Sequence, residues 1–251
     1  MAKRIGKRHI YIPDVQAKDG VSTKHLTAAG NFIADKRPDT IILAGDFADM
    51  PSLGTHNDRG HIDYEGKRYT KDIKAAQQAM QKLMKPFWGI SGYKPRLVLT
   101  MGNHEDRITR AVAQDPKLEG KLSLDDLGYK EYGWKVVPFR QVVKLDGIAY
   151  CHYFVTGKMD RPIERAAALI TKKHMSCVAG HQQGRDIAYG QRGDGRTITA
   201  IIAGSFYDHE ETYMSPQSNN HWRGIYVFNE VHDGAFDEMA VSLDYLKRRW
   251  L

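Results

Sequence analysis

Thr40-Ile41-Ile42-Leu43-Ala44-Gly45-Asp46-Phe47-Ala48-Asp49 decides how this chain folds. Its first five residues are apolar or β-branched and make a run of buried-strand length. A glycine then permits a sharp turn, and two aspartates follow where the strand would end. The same pattern recurs along the chain. Arg8–Pro13 runs into Asp14 and Gln16, and Arg96–Met101 into Gly102-Asn103-His104-Glu105. Gly147–Cys151 runs into His152, and Ser176–Ala179 into Gly180-His181-Gln182-Gln183. Trp134–Pro138, Thr197–Ala203 and Gly224–Val231 are further strand-like runs.

Helical patterns lie between them at Thr23–Lys36, Lys71–Phe87, Glu105–Gln114 and Arg161–His174. In Lys71–Phe87, Ile73, Ala76, Met80, Leu83 and Met84 share one face. Strand and helix alternate in the first half and strands dominate the second, which predicts an α/β sheet continuing into a mixed one. The whole chain, 1–251, reads as one domain, with a surface-loop and helix insertion around 50–95. Met50–Arg68 is polar and glycine-punctuated, the pattern of a long surface loop.

Composition narrows the classes. With 41% hydrophobic and 27% charged residues, the 251-residue chain is of ordinary globular make-up. No apolar run approaches the ~18 residues of a membrane span, and the basic start MAKRIGKRHIYIPD leads straight into a strand rather than a signal sequence. Cys151 and Cys177 sit inside apolar runs, which reads as free thiols in a reducing cytoplasm. The net charge of +7 is carried by two terminal clusters, Lys3, Arg4, Lys7, Arg8 and Lys247, Arg248, Arg249. Such a balance permits a polyanionic partner, nucleic acid included, without requiring one.

Five strands each deliver a carboxylate, carboxamide or imidazole at the carboxyl end, the edge of an open α/β sheet where ligands bind. Aspartate offers anionic oxygen, asparagine neutral oxygen and imidazole nitrogen, a mixture that suits a divalent metal. Singly, an aspartate after a strand is usually a turn residue and a lone histidine a satisfied core residue. The ordered set is what points to chemistry. No G-x-S-x-G, P-loop or G-x-G-x-x-G is present.

Asp14-x-Gln16, Gly45-Asp46-x-x-Asp49, Gly102-Asn103-His104-Glu105, His152 and Gly180-His181-x-Gln183, closed by Gly204-Ser205, resemble the calcineurin-like metallophosphoesterase superfamily, in its phage and bacterial form. That resemblance implies a four-layer α/β/β/α sandwich with a two-metal centre. It implies Asp46 bridging both ions, Asn103, His152 and His181 completing one site, and Asp14, Gln16 and Gln183 completing the other. Standing beside Asn103, His104 is expected to protonate the leaving group, with Asp49 orienting and charging its ring. The cofactor expected is divalent, Mn foremost, with Mg, Fe, Ni and Zn as alternatives.

Two departures fall on one site: the family has histidine where this chain has Gln16 and Gln183. Carboxamide oxygen is a weaker and harder ligand than imidazole, so one tight and one weaker site are expected. Asp49 is followed by Met50-Pro51 rather than the arginine of the serine/threonine phosphatases. The expectation is therefore a phosphoesterase acting by metal-activated water, on a phosphodiester (a nuclease or nucleotide phosphodiesterase) in a bacterial or phage-infected cytoplasm. The alternatives are a phosphomonoesterase on nucleotide or phosphoprotein, and a non-catalytic scaffold of the same fold.

Several residues are left with two readings. Arg107 stands either near phosphate or at a helix start whose acidic first turn is unremarkable. His56, Arg59, His61, Lys67 and Arg68, with Tyr64 and Tyr69, make either a polyanion-contacting lid or a solvated loop. His221, Trp222 and Arg223 make either a substrate platform or ordinary packing. Glu105 and Glu164 are expected on a helix surface.

Overall fold

Alternation along β1 and β2 sends successive side chains to opposite faces, and both faces are apolar. The computed structural model describes residues 6–54, 64–211 and 214–251. In chain order its elements begin with β1 (Lys7–Ile12), α1 (Lys24–Lys36), β2 (Thr40–Leu43), α2 (Tyr69–Met84), β3 (Arg96–Thr100), α3 (Asp106–Gln114) and β4 (Lys135–Val137). They continue with β5 (Val143–Leu145), β6 (Ile148–Cys151), β7 (Val155–Thr156), β8 (Arg161–Pro162), α4 (Ala166–Lys173) and β9 (Cys177–Ala179). Last come β10 (Arg185–Gln191), β11 (Thr197–Ala203), α5 (Pro216–Asn219), β12 (Gly224–His232), β13 (Ala235–Ser242) and α6 (Leu243–Trp250).

Two large sheets form, in the orders β13-β12-β1-β2-β3-β4 and β10-β11-β9-β6-β5. β1 to β4 are parallel, with Ile10 opposite Ile41 and Ile41 opposite Leu97, while β12 joins β1 antiparallel. In the second sheet β6, β9 and β11 are parallel and the edges β5 and β10 antiparallel.

Three apolar layers separate four structural ones. Ile10, Ile12, Ile41 and Leu43 pack against Leu26 and Phe32 of α1, Met80 and Leu83 of α2, and Leu246 of α6. Tyr11 and Ile42, on the opposite face, meet Ile148, Tyr150, Val178 and Ile201 between the sheets. Ala149, Cys177 and Ile202 turn outward onto Ala166 and Leu169 of α4. The architecture is thus α/β/β/α, as expected. Both cysteines are buried and free. No helix among the described residues is long and apolar enough to cross a membrane.

Some elements differ from expectation. Arg161–Pro162 pairs with Val155–Thr156 as β8 against β7, so α4 begins only at Ala166. β10, β13 and α6 carry no continuous apolar run and were not foreseen. They lie at sheet edges or on the surface: β10 has no fully buried residue, β13 buries Val241 and α6 buries Leu243 and Leu246. Residues 55–63, which hold His56, Arg59 and His61 of the candidate lid, lie outside the described residues.

Candidate active site

Every chemistry-bearing residue stands just past a strand's carboxyl end: Asp14 and Gln16 after β1, Asp46 and Asp49 after β2, Asn103 and His104 after β3, His152 after β6, His181 and Gln183 after β9. Packing of the two sheets face to face brings these ends together. The approach is close enough to demand glycine. A Cβ on Gly102 would collide with the Asp46 carboxylate, and one on Gly180 with that of Asp14. Gln16, Asp46 and His181 themselves adopt left-handed backbone, with φ of 47°, 46° and 69°. Such a conformation costs a non-glycine residue about 1–2 kcal/mol and is common where a site holds a side chain in place. Here it is held by hydrogen bonds: His181 N donates to Asp14 Oδ1 at 3.0 Å, and Gln16 N to the Asp46 carbonyl at 2.8 Å.

His152 fixes the polarity of the centre. Its Nδ1 lies 2.8 Å from the Ala44 carbonyl, which can only accept, so Nδ1 carries the proton. In the neutral ring Nε2 then presents a lone pair, 3.2 Å from Asp46 Oδ2 and 3.0 Å from Asn103 Oδ1. Ligand atoms of Asp46, His152 and His181 all lie within 4.8 Å of one another. Donor atoms so placed can be held together by a cation between them, and without one by a proton on His152 Nε2. Donors about 3 Å apart suit a shared ion with bonds of ~2.1 Å. Gln16 Oε1 and Gln183 Oε1 are buried acceptors with no hydrogen-bond partner. Buried, orphaned carboxamide oxygens are themselves groups that a cation would satisfy.

Electrostatics agree with crowded, mutually dependent charge. Burial opposes ionisation of Asp46, but His104 and His152 outweigh it and hold its carboxyl well below the usual range. Burial also works against a charged His152, yet Asp46 lifts it to about 9. Burial, opposed by His152, raises Asp14 to about 7. Burial and the neighbouring His152 lower His181 to about 4.

His104 adjoins this centre. Its Nδ1 lies 2.7 Å from Asp49 Oδ1, so the ring donates to the carboxylate from that side. Nε2 is left facing inward, 3.7 Å from Asp46 Oδ2. Burial disfavours the imidazolium, but Asp46 and Asp49 together raise its pKa above the ordinary value. Arg107 is buried rather than poised for substrate. Its Nη1 donates to the Asp49 carbonyl at 2.6 Å and its Nη2 lies 3.3 Å from His104 Nε2. Trp222 packs on Tyr226 beneath Arg185, and His221 Nε2 lies 2.7 Å from Ser205 Oγ.

Glu105 corrects the sequence reading. It is fully buried, not on a helix surface. Its carboxylate accepts from the backbone N–H groups of Asp46, Phe47, Ala48 and Gly102 at 2.7–3.0 Å and from the Tyr129 hydroxyl at 3.3 Å. It therefore clamps the loop that carries Asp46 onto the turn that carries Asn103. Glu164 is exposed, as expected.

Many solved chains are similar to this one, among them three that each match 94% of it. One is Vps29 complexed with zinc from Entamoeba histolytica, at 11% identity and a TM-score of 0.39, with 99% of that chain covered. Another is a conserved protein of Streptococcus pneumoniae described as a predicted phosphoesterase, at 11% identity, TM-score 0.34 and 98% coverage. The third is Yfce, a phosphoesterase from E. coli, at 13% identity, TM-score 0.37 and 100% coverage. No protein-family model and no curated protein matches the chain.

Proposed function

We propose that this chain is a metal-dependent phosphoesterase of the calcineurin-like superfamily that hydrolyses phosphodiesters. One observation carries the reading: the acceptor atoms of Asp46, Asn103 and His152 converge beside His181, next to an imidazole already oriented by a carboxylate. Asp46, Asn103, His152 and His181 would hold one divalent cation. Asp14, Gln16 and Gln183, with Asp46 shared, would hold a second more weakly. Bound there, the cations would stabilise charge on the phosphoryl oxygens and lower the pKa of the attacking water. Manganese suits the mixed nitrogen and oxygen set, and the carboxamide side favours harder ions.

The protein's own contribution is proton delivery. Asp49 accepts from Nδ1 of His104 and stabilises the imidazolium, and Nε2, which in the neutral ring accepts from Arg107 Nη2 at 3.3 Å, would carry the proton to the departing oxygen. The preference for a diester rests on charge. A monoester dianion calls for cationic side chains, yet the two beside Asp49 are committed, Arg107 to the Asp49 carbonyl and Lys18 to Glu211. A scaffold of this fold would have no use for the His104–Asp49 pair. Membership of a reducing cytoplasm and action of chain 1–251 as one domain belong to the same reading.

Purified protein supplied with Mn²⁺ should hydrolyse bis(p-nitrophenyl) phosphate faster than p-nitrophenyl phosphate, and should be screened on single-stranded DNA and RNA. His104→Ala should lose about 10²–10⁴-fold in rate on unactivated esters. Absence of hydrolysis with Mn²⁺, Mg²⁺, Ni²⁺ and Zn²⁺ alike would refute the proposal.

A further inference from the structure

Asp49 divides its two carboxylate oxygens between different partners. Oδ1 accepts from His104 Nδ1 at 2.7 Å, and Oδ2 faces Lys18 Nζ at 3.2 Å. Lys18 is gripped in turn by Glu211, whose Oε1 and Oε2 each lie 2.7 Å from Nζ. Glu211 is only 4% exposed. Its Oε1 also lies 2.7 Å from His209 Nε2, and its backbone N–H and carbonyl are both bonded to the Asn219 carboxamide, at 2.9 and 3.0 Å. A connected series His209–Glu211–Lys18–Asp49–His104 thus ties the loop after β11 to the imidazole.

An ammonium has three protons. Lys18 donates hydrogen bonds to both oxygens of Glu211 and stands in an ion pair with Asp49 Oδ2, so its charge is committed to these two carboxylates rather than to a phosphoryl oxygen. A carboxylate held at one oxygen rotates readily, because its terminal torsion is broad. The ion pair of Lys18 with the second oxygen opposes that rotation and so steadies the ring that Asp49 orients. Removing Lys18 would also leave Oδ2 of a nearly buried carboxylate without a partner.

We propose that Lys18, anchored by Glu211, is a positioning residue that fixes Asp49 and thereby the ring plane of His104 for proton donation to the leaving group. The leaving group belongs to the phosphoesterase reading above, on which this role rests; the bonding series itself does not need it.

The test compares Lys18→Met, Lys18→Arg and the double variant Lys18→Met/Glu211→Gln. The double variant removes both charges together, so neither is stranded in the interior. Two methyl phosphodiesters that differ only in leaving group serve as substrates: p-nitrophenolate departs without a proton, whereas phenolate needs assistance. With Mn²⁺, the double variant should lose about 10–100-fold in kcat on the phenyl ester and less than about threefold on the p-nitrophenyl ester, with KM unchanged. Lys18→Arg should recover most of the loss.

The second readout requires no turnover. The downfield His104 Nδ1–H proton, assigned by its absence in His104→Ala, should be present in the unaltered protein. It should be lost to exchange in the folded double variant and return in Lys18→Arg. Equal losses on both esters, or an unchanged proton signal in the double variant, would overturn the role of Lys18. A protein that hydrolyses neither ester would overturn the phosphoesterase reading instead, and the proton signal would still decide for or against Lys18.

Discussion

Glu105→Gln should destabilise the protein far more than its conservative chemistry suggests. Oε1 of Glu105 accepts from Phe47 N at 2.7 Å, Ala48 N at 3.0 Å and the Tyr129 hydroxyl at 3.3 Å. Oε2 accepts from Asp46 N and Gly102 N, both at 2.9 Å. All five partners donate, and glutamine must place an NH₂ group on one side. In its better orientation it still turns a donor toward two backbone N–H groups. Two lost hydrogen bonds to a charged acceptor cost about 3–6 kcal/mol. Part is offset because burial, which raises the pKa of Glu105, also penalises its charge, so the expected loss is about 3 kcal/mol. For a chain of this size that lowers Tm by roughly 6–12 °C. Urea and thermal unfolding followed by circular dichroism measure it, with exposed Glu164→Gln as a control expected within about 0.5 kcal/mol of the unaltered protein. Because the clamp holds the Asp46 loop, Mn²⁺ binding should weaken as well. A Glu105→Gln protein as stable as the control would refute the clamp.

The remaining predictions concern acid stability and metal count. His25 is buried, its Nε2 lies 3.0 Å from the Phe206 carbonyl, and burial, only partly opposed by Asp208, brings its pKa from 6.5 down to about 4. Since the folded value is the lower one, the unfolded chain takes up a proton first as pH falls. Stability is then full above about pH 6.5 and declines by up to ~1.4 kcal/mol per unit toward pH 4. His25→Gln should flatten that part of the urea-unfolding profile, and an unchanged slope would contradict it. Gln16→His with Gln183→His replaces two carboxamide oxygens by imidazole nitrogens. It should raise bound transition metal from about one ion per chain toward two and lower the Mn²⁺ needed for half-maximal activity. Two ions already retained after chelator dialysis, or no tighter binding by the double variant, would count against two unequal sites.

Much of the site is legible in the sequence because each strand is a short apolar run and each ends on a polar residue. Asp14, Asp46, Asn103, His152 and His181 are marked by that position, and Gly102 and Gly180 show why it matters: a side chain there would strike a carboxylate. What escapes reading is whatever depends on distant partners. Glu105 looks like an ordinary first-turn acid until backbone N–H groups almost 60 residues earlier are seen to converge on it. Lys18 and Glu211 are 193 positions apart. β10 and β13 escape because their exposed residues interrupt any apolar run, and α6 because Leu243 and Leu246 are its only buried positions beside Lys247, Arg248 and Arg249. The α4 boundary differs from the helical periodicity because Arg161–Pro162 finds a strand partner in Val155–Thr156, which local pattern does not reveal.

Anomalous diffraction at the manganese edge, from crystals soaked in Mn²⁺, tests the central claim most directly. The account predicts a strong peak enclosed by Asp46, Asn103, His152 and His181, and a weaker one on the Asp14, Gln16 and Gln183 side. A saturating soak with no peak among the first four residues, or with manganese bound only elsewhere, would contradict it.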